Sequence, residues 1–162
     1  MEQVNNKQGE GWLLWDQPED YPSRGLPALR AAEAARLQGD EAYERMHFAL
    51  LEGRHENRKD FTDPDDIDEL ARSAGLDMDR FKKDVADRGL VTRIAADHTH
   101  AVTEYKVFGT PTFVFENGQS FFMRIKAPES SEAAAKIFDN LYQLYVELPN
   151  VDEVKRLHKT RD

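Results

Sequence analysis

The stretch Val107-Phe108-Gly109-Thr110-Pro111-Thr112-Phe113-Val114-Phe115, followed by Asn117-Gly118 and by Phe121 to Ile125, decides how this chain folds. Thr112 to Phe115 is β-branched and aromatic, Asn117-Gly118 is a favoured two-residue hairpin turn, and Phe121 to Ile125 supplies a returning strand. A single β-hairpin is predicted here. Two strands make a marginal sheet, and their outer edges carry backbone groups that seek partners. A further strand, either missing from this sequence or supplied from elsewhere, is therefore expected.

On both sides of the hairpin the apolar period is helical. Ser23 is placed to cap a helix with Pro27 in its first turn and an alanine-rich body from Ala28 to Gln38, ended by Gly39. Asp40 is expected to cap the next, in which Tyr43, Met46, His47, Leu50 and Leu51 form one stripe up to about Gly53. Asp63 and Pro64 open a third helix, with Ile67, Leu70, Ala71 and Ala74 inward and Gly75 as its stop. Asp77 starts a fourth, with Met78, Phe81 and Val85 on its inner face. A fifth follows Gly89 and carries Val91, Ile94, Ala95, His98, Ala101, Val102 and Tyr105. After the hairpin, a helix from Ser131 presents Ala134, Ile137, Phe138, Leu141, Tyr145 and Leu148. Residues 1 to 22 read as a loop with a Trp12-Leu13-Leu14-Trp15 anchor, and residues 149 to 162 as a short basic tail.

The whole sequence has 162 residues, 31 acidic against 22 basic side chains, a net charge of −9 and no cysteine. That charge opposes general affinity for nucleic acid or anionic membrane, both of which need a basic surface. Without cysteine this polypeptide forms no disulfide, thiolate nucleophile or Cys-based zinc site. The opening MEQVNNKQGE has neither the basic start nor the apolar run of a signal peptide, and no apolar run approaches a membrane span. A soluble, cytoplasmic protein is expected.

The Val107 to Phe115 stretch with Asn117-Gly118 resembles the cis-proline loop and central hairpin of a DsbA-like thioredoxin fold. The helical block agrees: Ala31-Ala32, Ala34-Ala35 and Gln38-Gly39, then Ala71 to Leu76 and Phe81, resemble the helical insertion of that family's cytoplasmic, polyketide-isomerase-like branch. The resemblance implies an α/β fold, an incomplete thioredoxin-like domain that is mostly helical with one β-hairpin. It divides the chain into a remnant of the second strand and leading loop (1 to 22), the insertion (23 to 106), the C-terminal thioredoxin half (107 to 148) and the tail. Met1 to Val4 is similar to the end of the family's second strand, so the first strand, Cys-x-x-Cys and first helix are absent from this sequence.

By that resemblance the Thr110–Pro111 bond is cis, and Gly109, Thr110 and Pro111 form the loop that meets a thiol substrate. Without it, a trans proline opening an edge strand is the plainer reading. The implied family role is thiol–disulfide exchange with a protein or small-thiol substrate, needing no cofactor, and this chain is expected to be inactive alone. A glutathione-dependent isomerase or kappa-class transferase shares the architecture, and a noncatalytic binding module is the reading from another class. Self-association through the open sheet edge is a further expectation.

Other residues have plainer alternatives. Trp12, Trp15 and Tyr21 could line a ligand cleft or pin the leading loop to the helices. His98 fits a half-buried position on its helix and is a possible cleft residue, while His100, two positions on, points elsewhere and shares no metal with it. His47 is expected to face the core and His55 the solvent. The run Asp63, Asp65, Asp66, Asp68 and Glu69 lacks the glycine of a calcium loop and reads as helix capping; no metal is assigned.

Overall fold

In a computed structural model that describes residues 11–148 together with Gln3, Gly9 and Asn150, the helical periods and the hairpin fall into two separate units, Met1–Val102 and Thr103–Asp162. The expected strand remnant at 1 to 4, apart from Gln3, and the basic tail from 151 lie outside the described residues.

The first unit is helical. α1 (Leu26–Arg36) has Pro27 in its first turn, and the Ser23 hydroxyl accepts the Leu26 N–H at 3.0 Å, so Ser23 holds the helix start from just ahead of it. Ala31, Ala32, Ala34 and Ala35 are buried, and these small side chains let neighbouring helices approach α1 closely. α2 (Asp40–His55) departs from expectation at both ends. Gly39, with φ of 116°, occupies the cap position, and Asp40 is the first helical residue, its carboxylate at the positive end of the dipole. The helix also runs through Gly53 to His55, because Gly53 is an inward packing position beside Leu70.

The buried stripe of α2 is Ala42, Met46, Leu50 and Gly53. His47 and Leu51, expected on that face, are exposed; His47 stacks on Tyr43 at 5.8 Å outside the core. Alanine 42 and glycine 53 rotate the inner face away from the larger residues that seemed to define it.

α3 (Pro64–Ser73) and α4 (Met78–Val85) follow the sequence closely. Asp63 accepts the Asp65 N–H at 2.9 Å, and Asp77 accepts the N–H groups of Asp79 and Arg80 at 3.1 Å. Gly75 adopts φ of 71°, the left-handed conformation that lets the chain leave α3. α1 packs against α2, α3 and α4, and Phe81, fully buried, sits in the resulting core. α5 (Gly89–Glu104) buries Leu90, Val91 and Ile94; burial then fades through His98 to exposed Val102.

In the second unit β1 (Thr112–Val114) pairs antiparallel with β2 (Ser120–Phe122), setting Phe113 opposite Phe121. The strands are shorter than expected, and the turn is longer. Phe115 N–H donates to Gln119 C=O and Gly118 N–H to Phe115 C=O, both at 2.9 Å, leaving residues 116 to 118 as a three-residue loop. Gly118, with φ of 79°, supplies the left-handed residue such loops need. α6 (Ser131–Tyr142), capped by the Ser130 hydroxyl on the Ala133 N–H, passes into a π-helical turn at Gln143–Glu147. No described residue of this unit is buried.

Candidate functional site

The hairpin presents two unlike faces. Phe113, Phe115 and Phe121 share one face, and alternation along the strands makes them a layer. Helical aromatics cover it: Phe138 is 6.3 Å from Phe113, Tyr142 is 5.6 Å from Phe115, and Tyr145 stacks on Phe121 at 4.2 Å. The opposite face carries Val114 and Phe122, with Phe108 5.0 Å from the Phe122 ring and itself 76% exposed.

Gly109 shapes this second face. A Cβ there would fall 2.9 Å from the Cε2 of Phe122, so the bare backbone lets the ring lie directly on the loop. Thr112 Oγ1 donates to the Gly109 carbonyl at 2.7 Å and closes the loop around Thr110. The Thr110–Pro111 bond is cis.

Among the described residues the outer edge of β1 is unpaired. Phe115 bonds Gln119, and Met123 N–H donates to Pro111 C=O at 3.2 Å, which makes residues 111, 113 and 115 the inward-bonded positions. Thr112 and Val114 consequently direct N–H and C=O away from β2, and no described strand lies on that side. An extended segment laid there would find two donor–acceptor pairs beside Pro111, whose nitrogen bears no hydrogen.

The first unit holds the other sequence candidates. Trp15 and His98 meet, with ring centroids 5.1 Å apart. Burial lowers the His98 pKa below its ordinary value, so the imidazole is neutral near pH 7. Trp12 turns instead to Tyr21, at 5.8 Å. The deepest residue of this segment is neither tryptophan but Leu14, whose N–H donates to the Gln3 side chain at 2.7 Å. Gly109, Thr110 and Pro111 belong to the second unit.

The acidic run is taken up by partners within the fold. Asp63 caps α3, Asp66 and Glu69 accept from Lys59 Nζ at 2.9 and 2.7 Å, and Asp68 meets Arg72 and Lys82. The hydrogen bonds to Glu69 and Asp66 raise the Lys59 pKa further above its ordinary value. His100 and His55 are exposed. Two features escaped the sequence reading. Glu33 is a buried carboxylate on α1 held by Arg36 and Arg93, hidden in an alanine-rich run. Arg30 lines a cavity whose walls come from segments far apart in sequence.

Comparison with known proteins agrees with this architecture. The family model described as a DSBA-like thioredoxin domain matches residues 18–134. The ClpXP adapter protein SpxH of Bacillus subtilis is 32% identical over 122 residues, which is 75% of this chain and 40% of that protein. SpxH of Halalkalibacterium halodurans is 34% identical over 109 residues, 67% of this chain and 34% of its own length. A Na(+)/H(+) antiporter, NhaA 3 of Salinispora tropica, is 44% identical over 92 residues, 57% of this chain and 13% of the antiporter. The chain thus spans well under half the length of these relatives. Among the described residues no helix is long and apolar enough to cross a membrane.

Proposed function

We propose that this chain, which belongs to the DsbA-like thioredoxin-domain family, serves as a polypeptide-recognition platform, holding an extended segment of another protein at Gly109, Thr110 and Pro111 and along the outer edge of β1. The observation that carries this reading is the pair of outward-facing backbone positions, Thr112 and Val114, next to a proline that keeps the edge free of a competing donor. Exposed Phe108 and the Phe122 ring supply an apolar flank for a side chain of the bound segment. The family role, exchange of thiols and disulfides on the segment so held, requires a sulfur that this sequence does not contain. By itself the chain binds without turnover.

A second reading drops the redox step. Relatives bearing the name ClpXP adapter favour a module that binds a client and performs no chemistry on it. In either reading the aromatic pair Trp15 and His98 forms a separate lining in the helical unit for a planar or apolar group.

The test is an amide chemical-shift titration with an unstructured cysteine-containing peptide and its serine analogue, run beside an insulin-reduction assay with dithiothreitol. Saturable shifts at Thr112 and Val114 are expected, with no reduction above the no-protein control. Tighter binding of the cysteine peptide supports the thiol role, and equal binding supports the adapter reading. Binding that leaves both amides unmoved would overturn the platform.

A further inference from the structure

A cavity of about 300 Å³ opens in the helical unit between the loop before α1, the first turns of α1 and α3, and α4. Its apolar wall is built from Leu26, Pro27, Phe61, Ile67, Phe81 and Val85. Phe81 and Ile67 are core residues, so this wall is set by the packing of the domain. A volume near the lower end of those found for small-molecule sites suits one compact ligand.

The charged groups at the cavity are unequally satisfied. Asp68 is answered by Arg72 at 3.3 Å and Lys82 at 3.2 Å, and Glu19 by both Arg30 and Arg88. Arg30 is the opposite case. Its side chain is only 14% exposed, its Nη1 donates to Glu19, and its Nε, sealed from water, has no acceptor among the described residues. A guanidinium largely removed from water with one carboxylate partner is short of acceptors. Glu19, by contrast, lies on the loop with its side chain 53% exposed. The hydrogen bond from Arg30, foremost among several influences, lowers the Glu19 pKa.

We infer that this cavity is a binding site for a small amphipathic monocarboxylate, an alkyl or aryl acid whose apolar body fills the space against Phe81, Ile67 and Val85 while its carboxylate takes the place of Glu19 on Arg30 Nη1 and gives the Nε the acceptor it lacks. Glu19 then acts as a built-in competitor, swinging to solvent and Arg88 when the ligand enters. A cationic ligand is disfavoured, because both carboxylates at the cavity already have two basic partners. This inference is independent of the hairpin platform, since every lining residue lies between Glu19 and Val85.

The experiment uses the intact chain and decanoate as probe, with decylammonium and 1-decanol as charge and neutral controls. Trp12 fluorescence is the readout, because Trp12 packs on Tyr21 at the cavity, and calorimetry checks it. Decanoate is expected to bind about tenfold more tightly than either control, as a charge-assisted hydrogen bond in a partly dry site provides. Glu19→Gln, on an exposed loop, should tighten decanoate binding several-fold, and Arg30→Gln should remove the preference for the acid. Val85→Phe should abolish binding by filling the space. Equal binding of all three probes, weaker binding by Glu19→Gln, full binding by a folded Val85→Phe protein, or no saturable binding would each overturn the assignment.

Discussion

Gly53 on α2 and Leu70 on α3 touch so closely that a Cβ on Gly53 would lie 2.9 Å from Leu70 Cδ1. The helical contact is therefore made backbone to side chain. Replacing this glycine sets two effects against each other. Alanine gains up to about 1 kcal/mol of helix propensity, whereas overpacking against a buried leucine costs about 1–3 kcal/mol. The steric cost should win, so Gly53→Ala is expected to lower stability by about 1 kcal/mol and Gly53→Val by more. Urea unfolding followed by far-UV circular dichroism checks this, and a stabilised Gly53→Ala protein would show that Leu70 yields freely.

Glu33 gives a second prediction. Its carboxylate accepts from Arg36 Nε at 3.2 Å and lies 3.5 Å from Arg93 Nη1, joining α1 to α5. Removing one member of a fully buried ion pair costs about 3–5 kcal/mol. Arg36 and Arg93 are half exposed and regain water, so Glu33→Ala should cost closer to about 1–2 kcal/mol. Glu33→Gln should recover part of this by keeping hydrogen bonds. If both variants unfold at the wild-type urea midpoint, the carboxylate is not what fastens α5.

These two contacts also show where the sequence was legible and where it was not. Asp63, Asp77, Gly75 and the Ile67 to Ala74 period are local signals, and α3 and α4 formed as those residues dictate. The hairpin likewise announced itself, since β-branching, aromatics and Gly118 act over a few residues, although its turn closes over three residues rather than the expected two. Gly53 misled because a glycine that ends a helix and one that admits a neighbour look identical until the neighbour is known. His47 was misplaced for a related reason: the inner stripe of α2 is completed by Ala42 and Gly53, whose small size hides their role. Arg30 and its cavity were illegible because Glu19, Phe61 and Val85 meet only in three dimensions.

His98 makes stability depend on pH. Burial beside Trp15 lowers its folded pKa, so below about 6.5 the unfolded chain binds a proton that the folded chain resists. Its contribution is fully present above the unfolded pKa and is lost as pH falls from there towards the folded value. The urea midpoint should therefore decline below about pH 6.5, and His98→Gln should flatten that limb while leaving the other carboxylate-driven acid losses in place. Trp15 fluorescence should drop over the range in which the imidazole protonates. An unchanged acid limb in His98→Gln would remove the histidine from the account.

The loop at Gly109 predicts a local defect. Gly109→Ala places a methyl where the Phe122 ring now rests, and moving that ring also disturbs Phe108, 5.0 Å from it. The effect is expected to stay local, because the contacts it disturbs are those of Phe122 and Phe108. Amide exchange should accelerate at Ser120 to Met123 and stay unchanged in α3. Equal acceleration in α3 would overturn the local reading.

The outer edge of β1 predicts association. Thr112 and Val114 offer N–H and C=O groups that have no partner among the described residues, the flank beside them is exposed Phe108 and Val114, and an open apolar strand of this kind templates pairing with a second chain. The net charge of −9 opposes contact between copies at low ionic strength, and salt screens that repulsion within about 8–10 Å. Sedimentation velocity should therefore show a weight-average coefficient that rises with concentration, more steeply at high salt. Val114→Lys puts a charge on the exposed face of the edge strand and should restore the monomer without weakening the aromatic layer of Phe113, Phe115 and Phe121, which lies on the other face. A wild-type monomer at every concentration, with the Thr112 and Val114 amides already protected from exchange, would mean that the edge is covered and that no partner is needed there.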